Sequence, residues 1–386
     1  MSTLPTTRPF HRFLAAAGST VLALGLGAGT PAAESVERYT MAAGSLAIYD
    51  IAGAVTLEPA AAGEGAVVEV TRAGADADRL RIGQGPVGAW QTLRVIFPTH
   101  HVVYDLRGDW GTRINVGDDG RFDDEKLVRA AGPRHRVDIN GRGPGLDARA
   151  DLHVRVPAGR TLALFLAVGA VTVTNVDGDL HIGVSSANVT TQNTRGSIAV
   201  ESGSGELRVH GATGEVSLDT GSGGAIVRGV RGPTLSLDTG SGQVSVLDAE
   251  VDHLKADSGS GGLELADIRS PEIHLDSGSG AVRLGLLRGP LRDLAIDSGS
   301  GSVTIRAPRE LDASFDISAG SGGVSIDVPH QLTTHDSDHL RGRFGKGTGR
   351  ISIESGSGGV KIVPHENPGS RTGGGGVGSL LNYAFS

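Results

Sequence analysis

The sequence of 386 residues contains no cysteine, and aromatic side chains make up only 4% of it. The absence of cysteine excludes disulfide bonds, thiolate metal sites, cysteine nucleophiles and a lipid-modified N-terminal cysteine. So few aromatic rings offer little surface on which sugars or bases could stack. The formal charge of −8 at pH 7 argues against nucleic acid as a partner, because phosphate binding requires a basic face.

Glycine is the abundant residue, with 61 copies beside 16 prolines. No collagen-like three-residue period is present, and hydrophobic residues still amount to 38% of the chain. The glycines are therefore expected to serve turns or close packing within a folded core.

The N-terminus is organised like a secretory signal peptide. A basic start precedes an apolar run over residues 13–26, and small residues follow up to Ala32 and Ala33. This run is shorter than the ~20 apolar residues that span a bilayer. We therefore predict that residues 1–33 are cleaved after Ala32 or Ala33. The mature chain is then exported to the periplasm, the cell surface or the medium, without a transmembrane helix.

A five-residue signature recurs from residue 201 onward and predicts a repeat architecture. Most copies begin with Asp or Glu and continue with Ser or Thr followed by Gly-Ser-Gly; one copy reads Ser-Ala-Gly-Ser-Gly. Two degenerate copies precede them, around Val168 and Ser186. The copies from residue 201 onward are separated by 18, 19, 19, 19, 21, 21 and 36 residues. Their fourth positions are Ser204, Ser222, Ser241, Ser260, Ser279, Ser300, Ser321 and Ser357.

Apolar and polar residues alternate on both sides of each signature. Leu235 and Leu237 precede one copy, and Val244 and Val246 follow it. Alternation over such short runs predicts strands with one buried face. The buried positions change from odd to even numbers across the signature, so a bend is expected there.

Two architectures fit this pattern. An antiparallel meander would use strong two-residue turns such as Asn-Gly and gives no reason for the same residues to recur slot by slot. A solenoid stacks like positions at ~4.8 Å, and stacking explains the recurrence. We predict an all-β solenoid, a right-handed parallel β-helix, of about ten coils with 18–21 residues each.

The rest of the chain is divided around this solenoid. Residues 34–150 lack the signature but still alternate, which predicts a β-rich N-terminal region that caps an exposed strand edge. The solenoid itself is expected over residues 151–366. Its polar segment 331–350 is interpreted as a surface loop inserted into one coil, and the glycine-rich residues 367–386 as a flexible tail.

The unit Leu-x-Leu-Asp-Thr-Gly-Ser-Gly-x-Val-x-Val, seen at residues 235–246, resembles the putative adhesin family of bacterial envelope proteins, a family of unknown function. Residues 46–57, 152–157 and 347–353 are similar to it as well. The resemblance covers roughly residues 40–365. It implies an exported β-solenoid of the cell envelope and supplies no catalytic residues.

The aspartates in the first slot are expected to form a column on the outside of one corner. Neighbouring charges ~4.8 Å apart in water repel by roughly 0.9 kcal/mol, so something must offset the repulsion. Each carboxylate could accept a backbone N–H two residues on, in an Asx-turn, or Ca²⁺ could bridge adjacent coils. Calcium aside, the sequence predicts no cofactor and no catalytic residue. The column consists of Asp219, Asp238, Asp257, Asp276 and Asp297.

Two further groups of residues have structural interpretations. The eight fourth-slot serines are expected to line the inside of the corner as a ladder. His335 and His339 have the four-residue spacing of metal ligands on a helix, near His330. The intervening Asp336 and Asp338 suit a helix interior poorly, so a solvated loop is predicted.

These observations favour an exported, non-catalytic envelope protein, acting as an adhesin-like, scaffold or binding module. Its partner would be an unknown protein or glycan at the cell surface. The alternative is a carbohydrate-active β-helix enzyme, a lyase or hydrolase that uses acidic residues for acid–base chemistry. An enzyme should gather acids with a lysine or arginine in one groove, whereas a binding module can carry them as an even stripe.

Overall fold

The computed structural model describes residues 36–104, 111–122, 133–336 and 338–365. In these residues the chain is almost entirely β-structure, which confirms the predicted all-β class, and a single 3-10 turn lies at Ala77–Arg79. The predicted signal peptide and the glycine-rich tail lie outside the described residues. No helix in the described part of the chain is long and apolar enough to cross a bilayer.

The strands are numbered in chain order. Those of the N-terminal part are β1 (Val36–Thr40), β2 (Ser45–Pro59), β3 (Val67–Ala73), β4 (Arg81–Val87), β5 (Trp90–Ile96), β6 (His101–Val103), β7 (Gly111–Gly117), β8 (Arg134–Asn140), β9 (Leu146–Asp147) and β10 (Arg149–Val156). Those of the regular repeats are β11 (Arg160–Thr174), β12 (Gly178–Arg195), β13 (Ile198–Ser204), β14 (Leu207–Thr213), β15 (Val216–Thr220), β16 (Ala225–Thr239), β17 (Val244–Ser258), β18 (Leu263–Arg269), β19 (Glu272–Ser277) and β20 (Val282–Leu286). The last are β21 (Asp293–Ser298), β22 (Val303–Ala307), β23 (Ala313–Ala319), β24 (Val324–Ile326), β25 (Gln331–His335), β26 (His339–Phe344), β27 (Gly349–Ser355) and β28 (Val360–Pro364).

Parallel pairing in register builds a solenoid-like stack from β2 and β11 onward. Leu162 lies opposite Leu46 on one side and Leu180 on the other. The same step continues along the repeats, where Leu218 pairs with Leu237. Each coil contributes one strand before its signature and one after it. The hand of the winding, the number of coils and the domain boundaries stay predictions.

The core is a continuous column of aliphatic side chains inside the coils. In β15 the burial alternates, with Val216 and Leu218 buried and Asp219 exposed. Because equivalent positions stack, each Leu, Ile or Val packs on a similar side chain of the next coil. This packing, at roughly 1.5–3 kcal/mol for each buried side chain, is the main source of stability.

A second bend, which the repeat signature does not reveal, lies within or just after the strand that follows the signature in several coils. Asn175, Asn193, Asp248 and Asp267 adopt left-handed backbone with φ between 51 and 58°. Asn and Asp tolerate this conformation better than other side chains. The amide of Asn193 also donates to the side-chain oxygen of Asn175 in the neighbouring coil at 3.3 Å. The coil is therefore shaped at two places by residues suited to tight turns.

The N-terminal strands cover the first edge of the stack. β5 pairs in parallel with the start of β2, and β10 pairs in parallel with its end. Antiparallel partners then extend these strands outward, β4 on β5 and β3 on β10. β6 to β9 form a separate four-stranded sheet. The role of the N-terminal region as a cap for an open strand edge stays a prediction.

The last coils do not stack in the order of the sequence. β27 pairs with β21 on one side and with β23 on the other, and β28 lies likewise between β22 and β24. The coil that comes last in the chain thus fills a gap between two earlier ones. The order of signatures is therefore Ser300, Ser357, Ser321, which corrects the sequential order expected from the sequence.

The segment 331–350 is a β-hairpin where the sequence predicted an inserted loop. β26 pairs antiparallel with β23, and β25 pairs antiparallel with β26. The polar composition reflects the position of the hairpin at the edge of the sheet, where most side chains of β25 are exposed. Polar strands at an edge discourage further pairing.

Candidate functional site

The bend at several signatures is held by a hydroxyl-bearing residue in the second slot. Thr239 is 1% exposed, and its Oγ1 accepts the N–H of Gly242 at 2.9 Å. The same hydroxyl donates to the carbonyl oxygen of Gly223 in the preceding coil at 3.1 Å. One buried hydroxyl thereby closes its own bend and joins it to the bend below.

Both glycines of the signature are required by the closeness of the stacked backbones. A Cβ atom on Gly242 would lie 1.9 Å from the carbonyl oxygen of Gly223, and one on Gly240 would lie 2.4 Å from that of Gly221. No side chain fits at such distances. The recurrence of Gly-Ser-Gly is thus a consequence of stacking.

The ladder inside the corner is two positions away from the predicted one. Of the fourth-slot serines, Ser204 is half-buried and the other seven are exposed. Ser186 and Ser204 share a hydroxyl–hydroxyl bond of 2.8 Å, and Ser321 donates to the carbonyl of Ser357 at 3.3 Å. The buried ladder is formed by Ser202, Thr220, Thr239, Ser258, Ser277, Ser298 and Ser355.

The first slots form an uninterrupted column of carboxylates, here called the acidic column. Register pairing places each member beside the next, and the column continues beyond the five predicted aspartates at both ends. Glu201 lies beside Asp219, and Glu354 lies beside Asp297. The same slot of the signature could have identified both glutamates. The members in stacking order are Glu201, Asp219, Asp238, Asp257, Asp276, Asp297 and Glu354.

The electrostatics of the acidic column are least favourable near Asp276. Partial burial raises the pKa of Asp276, and the carboxylates of Asp257 and Asp297 raise it further. The ammonium group of Lys255 opposes this effect. The bend N–H groups of two repeats, at Gly223 and Gly242, bond to threonine hydroxyls. The N–H groups predicted to bond the aspartates lie two residues on, at Gly221 and Gly240, and they donate instead to the carbonyl oxygens of Ser202 and Thr220 in the preceding coil, at 2.9 and 3.1 Å.

A shallow hollow of about 430 Å³ lies over this part of the acidic column. Its lining includes Asp257, Asp276 and Asp297 together with Lys255 and His274. His274 contacts Asp293 at 3.1 Å through its Nε2. The hollow follows the column over adjacent strands, so the carboxylates stay evenly spaced instead of converging on one point.

Within the ranges given above, no group of three or more His, Asp or Glu side chains is placed to hold a metal ion. The calcium column stays a prediction. A bridging Ca²⁺ would need each pair of neighbouring carboxylates to turn toward one ion, with water completing the coordination.

The three histidines near the hairpin have separate structural roles. The ring of His330 contacts the carbonyl oxygen of Val328 at 2.8 Å through Nδ1. His339 contacts Asp316 at 2.7 Å through Nε2. His335 and His339 lie on the two antiparallel strands of the hairpin, so the helical spacing considered for a metal pair does not apply.

Comparison with known proteins gives one family match and weak structural likenesses. No curated protein matches the chain. One similar structure is that of a putative adhesin from Parabacteroides distasonis ATCC 8503, with 12% sequence identity, a TM-score of 0.37 and coverage of 85% of this chain and 96% of that one. Another is that of a putative cell adhesion protein from Clostridium sporogenes ATCC 15579, with 10% identity, a TM-score of 0.18 and coverage of 86% and 99%.

The family match agrees with the position of the coils. The model of the family described as Toastrack DUF4097 matches residues 147–363, which is more than half of the 386 residues. The matched range begins before β10 and ends within β28, and so contains every copy of the signature. This chain belongs to the Toastrack DUF4097 family.

Proposed function

We propose that the protein is an exported, non-catalytic component of the cell envelope that acts as an adhesin-like binding module. The observation that carries this proposal is the acidic column, in which seven carboxylates follow one another in strand register. The signal-peptide pattern in residues 1–33 supports export. The partner contacts the face that carries the column.

The even spacing of the column supports binding over catalysis. A glycosidase needs two carboxylates with different pKa values at a defined separation across one bond. Here an aspartate or glutamate recurs at the same position of seven stacked strands, and Lys255 and His274 lie beside the column in a shallow hollow. Such a surface offers many equivalent contacts and no single reacting point.

The chemistry of the column defines the partner as a polymer or surface with repeated positive charges. Each contact between exposed charges contributes little by itself, about 0–1 kcal/mol. Several contacts made together raise the overall affinity strongly through effective concentration. An amine-bearing glycan and a basic protein segment share this chemistry. Alternatively, Ca²⁺ held by the column could join it to an anionic partner.

The experiment compares the mature chain with two variants of equal net charge. In the column variant, Asp238, Asp257 and Asp276 are changed to Asn. In the control variant, three acids outside the column are neutralised, by Asp252→Asn, Glu264→Gln and Asp327→Asn. Binding is measured by surface plasmon resonance on chitosan, polylysine and dextran sulfate. Each measurement is made once with a chelator and once with about 1 mM Ca²⁺, a concentration at which extracellular calcium-binding modules are occupied.

We expect the mature chain and the control variant to bind chitosan or polylysine in the presence of chelator. The column variant should bind at least tenfold more weakly, a loss of about 1.4 kcal/mol in binding free energy. A preference for chitosan identifies a glycan, and a preference for polylysine identifies a basic protein segment. Binding of dextran sulfate that appears only with Ca²⁺ and only with an intact column would support the calcium route. Equal binding by both variants, or no binding to any surface, contradicts the proposal.

A further inference from the structure

The repeat spacing lengthens from 19 to 21 residues at two successive coils, and both extensions border one hollow. The pairing of β18 with β20 shifts between Leu265 and Ile268, and Glu272 then pairs with Asp293. The extra residues lie in the connection that follows β20. The next connection, after β22, is likewise longer than in the regular coils. Identical coils present the same side chains again and again. The two extended coils depart from the repeat and therefore place a combination of side chains together that occurs at no other coil the structure describes.

The hollow, here called the corner pocket, has a volume of about 460 Å³. This volume lies within the ~300–1,000 Å³ range of small-molecule sites. Its apolar lining consists mainly of leucines, of which Leu286 and Leu311 are 5% and 7% exposed. Leu287, Leu291 and Pro290 complete the apolar wall. An apolar ligand group could therefore replace water over these side chains.

Three arginines also line the corner pocket: Arg269, Arg288 and Arg292. Arg269 is fixed by two contacts, from Nε to the carbonyl of Arg288 at 3.1 Å and from Nη1 to Glu250 at 2.9 Å. Arg292 contacts Glu272 at 2.9 Å. The side chains of Arg288 and Arg292 are 72% and 62% exposed, so both have guanidinium surface available to a ligand.

The acids that line the corner pocket are Asp312 and Glu310. The carboxylate of Asp312 accepts the N–H groups of Lys346, Gly347 and Thr348. These hydrogen bonds, that from Thr348 first, lower its pKa, so this carboxylate already has local donors. Glu310 forms an exposed ion pair with Arg288. Such a pair is worth little in water, so an incoming anion can replace Glu310 at Arg288.

We propose that the corner pocket binds an amphipathic carboxylate, with its hydrocarbon part on the leucines and its carboxylate on Arg288 and Arg292. Arginine is suited to this role because its guanidinium group bonds a carboxylate in two-point fashion. This site is separate from the acidic column and does not depend on the proposed function. Each of the three arginines already contacts an acid, Glu250, Glu310 or Glu272, and the ligand carboxylate competes with the last two for Arg288 and Arg292.

The test is calorimetric titration of the mature chain with laurate below its critical micelle concentration. Dodecanol and dodecyltrimethylammonium carry the same hydrocarbon chain without a charge and with the opposite charge. The variants are Arg288→Gln with Arg292→Gln, which removes the rim charge, and Glu310→Gln, which removes the competitor of the ligand. Arg283→Gln, on an exposed position of β20 outside the pocket, is the matched control.

We expect one laurate per chain, bound at least tenfold more weakly by the double arginine variant and several-fold more tightly by the Glu310 variant. The control variant should bind laurate with the affinity of the unmodified chain. Dodecanol and dodecyltrimethylammonium should both bind the unmodified chain at least tenfold more weakly than laurate does. All replaced side chains are exposed, so folding should be unaffected, and thermal melts check this. Binding of the cationic analogue equal to that of laurate, unchanged binding by the double variant, or no binding of laurate overturns the proposal.

Discussion

At the scale of single residues, the signature assigns a different task to each slot. The residue in the first slot points outward, and the residue in the second slot is buried. The glycines lack a Cβ atom, so the backbones of neighbouring coils can pack directly on each other. The hydroxyl of Thr239 makes two hydrogen bonds inside the corner, one within its coil and one to the coil below. Ser241, two positions later, is exposed. The two hydroxyls should therefore differ sharply in their contribution to stability.

We predict that Thr239→Val destabilises the protein by about 1–3 kcal/mol, because it leaves the buried N–H of Gly242 and the carbonyl of Gly223 without this partner. Ser241→Ala should change the free energy of unfolding by less than about 0.5 kcal/mol, as most surface substitutions do. Urea unfolding of both variants, followed by circular dichroism, measures the two values. Equal effects of the two substitutions would mean that the exposed hydroxyl of Ser241 stabilises the fold as much as the buried hydroxyl of Thr239.

The position of the buried ladder could have been predicted from the sequence. Leu235, Leu237 and Thr239 share one parity, so the face that buries the two leucines also buries the threonine. The bend begins after this residue. The recurrence of the fourth-slot serines does not require their burial, because the adjoining glycines already account for the close stacking.

At the scale of strands and coils, alternation and repeat length correctly predicted parallel stacking in register. They could not predict the order of the last coils. The signatures at Ser321 and Ser357 both contain Gly-Ser-Gly, so the repeat pattern by itself allows either to stack on the coil of Ser300. The choice depends on the hairpin of β25 and β26, which needs β23 at the edge to pair with. That pairing is a long-range contact that no local pattern encodes.

Engineered disulfides can test this order, because the chain has no cysteine of its own. Asp297 lies directly opposite Glu354, and strands in register are ~4.8 Å apart, within the range of a disulfide. We predict that Asp297→Cys with Glu354→Cys forms a crosslink under mild oxidation.

The control pair for this crosslink is Asp297→Cys with Ser318→Cys. Ser318 pairs with Glu354 on its far side, so it lies two strands from Asp297, ~10 Å away, and should stay reduced. Mass spectrometry of unreduced peptides distinguishes the results. A crosslink in the control pair and none in the first would mean that the coils stack in sequence order.

At the scale of the whole molecule, the acidic column concentrates like charge along one face of the stack. The raised pKa of Asp276 means that its ionised form is less favoured in the folded than in the unfolded state. Its contribution is therefore unfavourable above the folded pKa and is relieved as the pH falls through that value. Charge on this face is retained at a cost in stability, as expected of a surface kept for binding.

We predict that Asp276→Asn raises the unfolding free energy at pH 7 and low ionic strength by about 0.5 kcal/mol, the scale of an exposed charge interaction. The gain should vanish below the ordinary aspartate pKa of 3.8, where both proteins are neutral at this position. It should also shrink in 1 M salt, where the Debye length is about 3 Å. Thermal melts across pH and salt measure it, with Asp252→Asn as control. A loss of stability at pH 7 would mean that the carboxylate is held by a favourable partner.

The interior position of the final coil bears on how the molecule resists mechanical load. β27 and β28 each have a hydrogen-bonded neighbour on both sides. A pull on the chain beyond Pro364 must therefore shear two ladders at once, whereas a terminal coil could be peeled away along one. If the molecule is tethered through its C-terminus while its acidic face binds a surface, the force acts on the coil that is hydrogen-bonded on both sides, which resists strand separation better than a terminal coil.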